Sequence, residues 1–187
     1  MGIIREAREQ DVIKIKQLTD ENISVNFYTL SFLRTIIDDP KQYLLVYENE
    51  EKEIVAYLYM FCASLQEALT ILHIPVELLV SNGVLPETKI VVFKTTCTHK
   101  KYRSRGILTS LIDYAQKKVL QIDLHSILLT ALQIPSEKIP AHTVLIQADF
   151  VPVGRVKHPW RNIEAYCPYC GKDHCICDAV VYRKELP

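Results

Sequence analysis

One stretch of the chain, residues 89–122, constrains the fold more than any other. The run KIVVFKTTCT is rich in β-branched residues and is typical of a buried strand. The residues after Gly106 then place apolar side chains on one helical stripe, which consists of Ile107, Leu108, Leu111, Ile112, Ala115 and Val119. The sequence therefore predicts a strand, a short turn and an amphipathic helix in direct succession.

The turn between this strand and this helix is basic. Its charged residues are Lys100, Lys101, Arg103 and Arg105, with His99 before them and Gly106 at the start of the helix. A helix N-terminus offers unpaired backbone N–H groups and the positive end of the helix dipole, and a glycine lets an oxyanion approach the backbone closely. The turn is therefore predicted to bind phosphate, and the plain alternative is a solvated basic turn.

The segment from 103 to 108, RSRGIL, resembles the R/Q-x-x-G-x-G/A signature of the GNAT superfamily, the acyl-CoA-dependent N-acyltransferases. It departs from that signature at Leu108, where the family usually has glycine or alanine. The resemblance implies that the pyrophosphate of coenzyme A is held by the backbone amides of Arg103, Ser104, Arg105, Gly106, Ile107 and Leu108. It also implies that the backbone of Cys97 and Thr98 pairs with the pantetheine arm, where the family's fourth and fifth strands splay apart.

The order of the other predicted elements agrees with that family. A strand at residues 3–5 leads into a helix at 9–21, and Ser31 can cap a second helix that buries Phe32, Leu33, Ile36 and Ile37. A hairpin follows at residues 43–61, and the chain continues after the central helix with a strand at 126–133 and a helix at 138–150. The resemblance implies an α/β (α+β) fold with a mixed, mostly antiparallel central sheet flanked by helices.

The expected organisation is a single domain over residues 1–187. The segment at 62–88 is predicted to be an insertion, which either covers core surface or a subunit contact, or shapes the acceptor pocket. A small zinc-binding excursion is expected at 164–178, before the last strand.

The predicted last helix raises the question of the proton carrier. KIPAHTVLIQADF resembles the family pattern N-x-x-A-x-x-x-Y-x-x-x-G-F, but Leu145 takes the place of the tyrosine that protonates the departing thiolate in many members. His142 lies one turn earlier and is the candidate catalytic residue, with a surface or packing role as the alternative. Water as the donor, or release as the thiolate, also stays open. The strand at 89–98 contains no Asp or Glu, so deprotonation through water or by a base from the 62–88 segment, with Glu77 as a distant candidate, stays open.

The C-terminal region holds four cysteines, Cys167, Cys170, Cys175 and Cys177. The first two form the C-P-x-C-G pattern of a zinc knuckle, in which a glycine lets the backbone curl around sulfur. In a reducing compartment, cysteines this closely spaced favour structural zinc over disulfides. His174 is the reserve ligand because the C-x-C half strains simultaneous chelation.

Composition limits the partners. The chain of 187 residues has zero formal net charge, so bulk attraction to nucleic acid or membrane is not expected. No signal peptide or membrane-spanning run is expected, which predicts a cytoplasmic location.

We predict an N-acetyltransferase that transfers the acetyl group of acetyl-CoA to a small-molecule or peptide amine by direct attack, with a homodimer as one option for assembly. Two rivals remain, a degenerate coenzyme A-binding sensor or scaffold and a zinc-knuckle protein that binds partners or nucleic acid.

Overall fold

The computed structural model describes residues 2–121, 126–132 and 139–186. The chain forms two compact units. The first comprises Met1–Phe61 and Phe93–Ile122, and the second comprises Cys62–Val92 and Asp123–Pro187. No helix within the described ranges is long and apolar enough to cross a membrane.

The first unit begins with strand β1 (Ile3–Glu6), helix α1 (Val12–Asn22) and helix α2 (Leu30–Asp38). The cap predicted for α2 at Ser31 is wrong, because the hydroxyl of Thr29 accepts the N–H of Phe32 at 3.1 Å and Ser31 lies inside the helix. The predicted burial of Phe32 is also wrong, since 38% of this residue is exposed.

The same unit continues with strand β2 (Gln42–Glu48) and helix α5 (Ile107–Leu120). It also contains most of strands β3 (Ile54–Ala63) and β4 (Ile90–Thr98), from which only residues 62–63 and 90–92 fall to the second unit. β2 pairs antiparallel with β1 on one side and with β3 on the other, and β4 lies next to β3. α5 buries Ile107, Leu111, Ile112, Ala115 and Val119. The predicted succession of strand, turn and amphipathic helix is therefore confirmed.

A charged network ties β1 and β2 to the start of α1. The Arg5 guanidinium donates to Asp11 at 2.6 Å and to Glu48 at 2.7 Å, and the Arg8 backbone N–H donates to Asp11 at 2.7 Å. Burial acts to raise the pKa of the Asp11 carboxyl, but these hydrogen bonds outweigh burial and hold that pKa below its ordinary value. The network therefore fixes the junction where the chain passes from sheet to helix.

The second unit contains helices α3 (Leu65–Leu72), α4 (Val76–Val80) and α6 (His142–Gln147) and strands β5 (Ser126–Leu132), β6 (Val151–Val156), β7 (Glu164–Cys167), β8 (Lys172–His174) and β9 (Ala179–Glu185). β9 lies between β5 and β6 and is antiparallel to both. α6 is shorter than the helix predicted at 138–150, and positions 133 and 138 of those predictions lie outside the described residues. The sequence reasoning missed β6.

The segment at 62–88 lies against β6 in this unit. The side-chain amide of Asn82 donates to the carbonyl of Val153 at 3.2 Å, and Arg183 donates to the carbonyl of Asn82 at 2.7 Å. A side chain at Gly154 would clash with Leu78, so the helix packs directly on the strand backbone. The segment therefore packs on β6 within this unit, and its predicted role as an insertion stays a prediction.

Candidate functional site

The basic turn between β4 and α5 is shaped by its backbone. The N–H of His99 donates to the carbonyl of Val55 at 2.9 Å, which anchors the turn to β3. Gly106 has φ of +74° and directly precedes the first helical residue of α5. A left-handed residue followed by a helical one directs successive N–H groups toward one point, which suits an anion. A Cβ built on Gly106 meets nothing within 4 Å, so the space beside this backbone is open.

Two exposed arginines flank this opening, and each is held differently. The Arg103 Nε donates to the carbonyl of Thr98 at 3.1 Å. The Arg105 guanidinium lies over the ring of Tyr102, with Cζ 5.2 Å from the ring centre. The predicted cofactor-binding segment 103–108 thus runs directly into the N-terminus of α5 and carries two exposed arginines.

Cys97 lies on β4 just before the turn, and its side chain is unsuited to nucleophilic chemistry. Its thiol is buried and donates to the carbonyl of Leu18 at 3.6 Å. Burial raises the pKa of this thiol to about 12, so it carries no thiolate near neutral pH. The Cys97 thiol is therefore not a ligand contact, and the contact of the Cys97 and Thr98 backbone with the pantetheine arm stays a prediction.

His142, the predicted catalytic residue, is the first residue of α6. Its Nδ1 lies 2.6 Å from the hydroxyl of Tyr182 on β9, a residue whose side chain is fully buried. Burial raises the pKa of the Tyr182 hydroxyl. The His142 residue itself is exposed, so one edge of its ring is anchored while the residue stays accessible. Leu145, which stands at the family's tyrosine position, is fully buried. The sequence reasoning missed Tyr182.

The four C-terminal cysteines form the second candidate site. Their Sγ atoms all lie within 4.8 Å of one another, and Cys167 and Cys177 are 3.9 Å apart. Tetrahedral zinc with Zn–S bonds of about 2.3 Å separates its sulfurs by about 3.8 Å, so the cluster has the dimensions of a zinc site. His174 is not part of it, because the group of mutually close ligand atoms found among the described residues consists of the four sulfurs, and this residue is exposed on β8.

The cluster is also the core of its own small sheet, β7 and β8. Cys167, Cys175 and Cys177 are buried, and Trp160 and Cys170 pack against them. Gly171, with φ of +66°, donates its N–H to the carbonyl of Cys167 at 2.8 Å and closes the predicted knuckle. All six cysteines of the chain are free thiols. Cys62 is half-buried rather than buried as predicted.

The backbone around Cys170 favours a thiolate there. Burial acts to raise the pKa of the Cys170 thiol, but the N–H groups of Ile176 and Lys172 and the neighbouring thiols lower it, and the net shift is downward. For Cys175, burial raises the pKa to about 11. Backbone N–H groups directed at sulfur are what the knuckle pattern predicts.

No protein-family model matches the sequence, and no curated protein is detectably similar to it. Solved structures are similar over nearly the whole chain. Arabidopsis thaliana NAA60 in complex with a bisubstrate analogue has a TM-score of 0.72 at 15% identity, over 99% of this chain and 98% of that one. NAA60 in complex with acetyl-CoA gives 0.70 at 16% identity, over 100% and 99%. A GNAT-family acetyltransferase from Streptococcus pneumoniae gives 0.66 at 14%, over 100% of both chains. The chain has the GNAT fold, and the predicted fold class is confirmed.

Proposed function

We propose that this chain is an N-acetyltransferase that transfers the acetyl group of acetyl-CoA to an amine by direct attack. The observation that carries the proposal is the open, left-handed Gly106 at the N-terminus of α5, flanked by two exposed arginines. In a chain with the GNAT fold, this turn contains the segment that resembles the family's coenzyme A signature. The structure of NAA60 with acetyl-CoA supports the choice of donor.

The turn would bind the pyrophosphate through the backbone N–H groups of residues 103–108, with charge from Arg103. The backbone of Cys97 and Thr98 would hold the pantetheine arm. A neutral amine attacks the thioester carbonyl, a backbone N–H stabilises the oxyanion, and a base or water removes the proton from the attacking nitrogen. The tetrahedral intermediate then collapses with cleavage of the C–S bond, which gives the amide and releases coenzyme A as a thiolate or, after it takes up a proton, as a thiol. An acyl-cysteine step is not required, because the Cys97 thiol is buried and its pKa is raised to about 12.

His142 is proposed as the proton carrier, either as the acid that protonates the departing thiolate or as the base that takes the proton from the attacking amine. Its exposed position and its anchored Nδ1 leave the rest of the ring accessible. Leu145 cannot serve because it has no titratable group. A single positioned acid or base typically contributes about 10² to 10⁴ in rate, so His142 would account for only part of the catalysis.

The experiment that tests the proposal combines calorimetry with a transfer assay. Charge-assisted contacts to phosphate are each worth about 1.5–3 kcal/mol, so Arg103→Glu should weaken acetyl-CoA binding by more than about tenfold. Arg161→Glu is the matched control, since it inverts the charge of an exposed arginine outside the turn. Equal affinity in wild type and Arg103→Glu would contradict the assignment of the turn.

A second function, a coenzyme A-binding sensor without catalysis, is favoured by two observations. The family's tyrosine position holds the buried Leu145, and β4 contains no acidic residue. A sensor would bind acetyl-CoA at the turn but would acetylate no amine. Transfer measured with a panel of amines, polyamines, aminoglycosides and peptide N-termini separates the two functions.

We also propose that Cys167, Cys170, Cys175 and Cys177 bind one structural zinc ion. Four thiolates leave no open position for a reacting water, which is the arrangement of structural sites. Metal analysis of reduced protein should find about one zinc per chain, and Cys167→Ser with Cys170→Ser should abolish it. Cys62→Ser is the control, because Cys62 lies outside the cluster. Wild-type protein without metal, or a disulfide in freshly reduced lysate, would refute the zinc site.

The acceptor is proposed to be an amine, either a small molecule or a peptide, and the bisubstrate complex of NAA60 is consistent with that. Four further points stay predictions: a cytoplasmic location, the absence of nucleic-acid and membrane partners, a homodimer, and a single domain with an insertion at 62–88.

A further inference from the structure

The two arginines of the basic turn are tied to different groups. Arg103 donates through Nε to the carbonyl of Thr98, at the end of β4. Arg105 contacts the ring of Tyr102 at 5.2 Å, and its guanidinium makes no hydrogen bond or ion pair within the described part of the chain. Its five N–H donors are therefore available to a ligand.

Tyr102 is itself held in place from two sides. The side-chain amide of Asn49 donates to the Tyr102 hydroxyl at 3.2 Å, and the ring of His99 meets the Tyr102 ring edge-on at 5.8 Å. Asn49 is fixed in turn, because its side-chain oxygen accepts the N–H groups of Glu51 at 3.0 Å and Glu53 at 2.8 Å. The half-buried ring is thus a fixed platform under an exposed guanidinium.

Coenzyme A presents two separate anionic groups, a pyrophosphate and a 3′-phosphate on the ribose. On the proposed function, the N–H groups at the start of α5 and Arg103 already satisfy the pyrophosphate. We infer that Arg105, positioned by Tyr102, binds the 3′-phosphate and selects coenzyme A over its 3′-dephospho form. A phosphate monoester carries nearly two charges near neutral pH and fits the planar fork of an arginine. This inference rests on the proposed function and adds a specificity-determining residue to it.

The test is calorimetric titration with acetyl-CoA and with acetyl-3′-dephospho-CoA. Wild type should prefer acetyl-CoA by about tenfold or more, the effect of one charge-assisted contact. Arg105→Gln should bring the ratio of the two affinities close to one. Arg103→Gln should weaken binding of both cofactors alike and leave the ratio unchanged. Arg161→Gln, which removes a cation outside the turn, is the control and should keep the wild-type ratio.

The role of Tyr102 is tested through the same ratio. Tyr102→Leu should lower the ratio roughly two- to fivefold, the effect of a cation–π contact, whereas Tyr102→Phe keeps the ring and should keep most of the ratio. In the Arg105→Gln background, Tyr102→Leu should have no further effect on the ratio, which a merely structural role would not produce. Thermal melts of each variant establish that the fold is intact.

The measured affinities separate failure of this inference from failure of the proposed function. Equal wild-type affinity for the two cofactors, or an unchanged ratio in Arg105→Gln, would overturn this inference while leaving the proposed function in place. Binding of neither cofactor by wild type would overturn the proposed function, and this inference with it.

Discussion

Removal of zinc is predicted to disorder residues 164–178 before the rest of the protein. The core of this segment consists of three buried cysteines with Trp160 and Cys170 packed against them. Burying three small thiols contributes only about 3 kcal/mol, whereas structural zinc in small domains contributes about 10–16 kcal/mol. The metal therefore dominates the stability of the segment, and chelation should release it.

Trp160 makes this prediction easy to measure. It is the only tryptophan of the chain, and it packs against the cysteine cluster. Titration with a zinc chelator should shift its fluorescence emission toward that of a solvated indole, while far-UV circular dichroism changes little. Readdition of zinc should restore the emission. Hydrogen exchange should also increase in β9, because the cysteine-rich segment leads directly into that strand.

Two results would refute this reasoning. Unchanged Trp160 emission after metal analysis has shown complete removal would mean that thiol packing alone holds the segment. Loss of all secondary structure at the same chelator concentration would mean that the segment does not unfold separately. Cys62→Ser should respond to the chelator as wild type does, since Cys62 is outside the cluster.

Gly106→Ala and Gly83→Ala each place a side chain on a left-handed backbone with open space beside it, so each variant should lose about 1 kcal/mol of folding stability. Only Gly106→Ala should also weaken acetyl-CoA binding, measured by calorimetry. Equal effects on binding would remove Gly106 from the site. His142→Ala should lower kcat by about 10² or more with little change in acetyl-CoA affinity, and an unchanged kcat would return His142 to a packing role. Arg5→Met should cost about 3 kcal/mol at pH 7 in urea unfolding. Because Arg5 helps to lower the pKa of Asp11, its contribution is present above the unfolded pKa of about 3.9 and is lost as pH falls through the lower folded pKa, so the cost should shrink below pH 4. A cost independent of pH would contradict this role.

The parts of the site that sequence could predict depend on local signals. The basic turn follows from one strand, one glycine and one amphipathic stripe, all within 89–122, and the structure confirms each of them. The cysteine cluster likewise depends on spacing over a few residues, and all four thiols meet. His174 could not be excluded from spacing alone, because it adjoins Cys175 in sequence and only the fold leaves it outside the group of four sulfurs.

The parts that sequence missed depend on contacts between distant residues. Tyr182 meets His142 across 40 positions, and Asn49 meets Tyr102 across 53, so no local pattern indicates either pair. Strand β6 was missed because Pro152 and Gly154 argue against a strand, yet an edge strand tolerates both residues, and α4 needs the glycine for close packing. The cap of α2 could not be chosen from sequence, because serine and threonine both cap helices well. Only the backbone, which is extended at Thr29 and helical at Ser31, identifies Thr29 as the cap.

The most direct test of the proposed function is the fate of the acetyl group. Wild-type protein is incubated with acetyl-CoA labelled in the acetyl carbon and with the panel of amines, polyamines, aminoglycosides and peptide N-termini, and products are identified by mass spectrometry. At least one amine should acquire the label as an N-acetyl group, with release of one coenzyme A per product, and Arg103→Glu should reduce this transfer. Binding of acetyl-CoA with an intact thioester and no acetylated amine in the panel would contradict the proposed function.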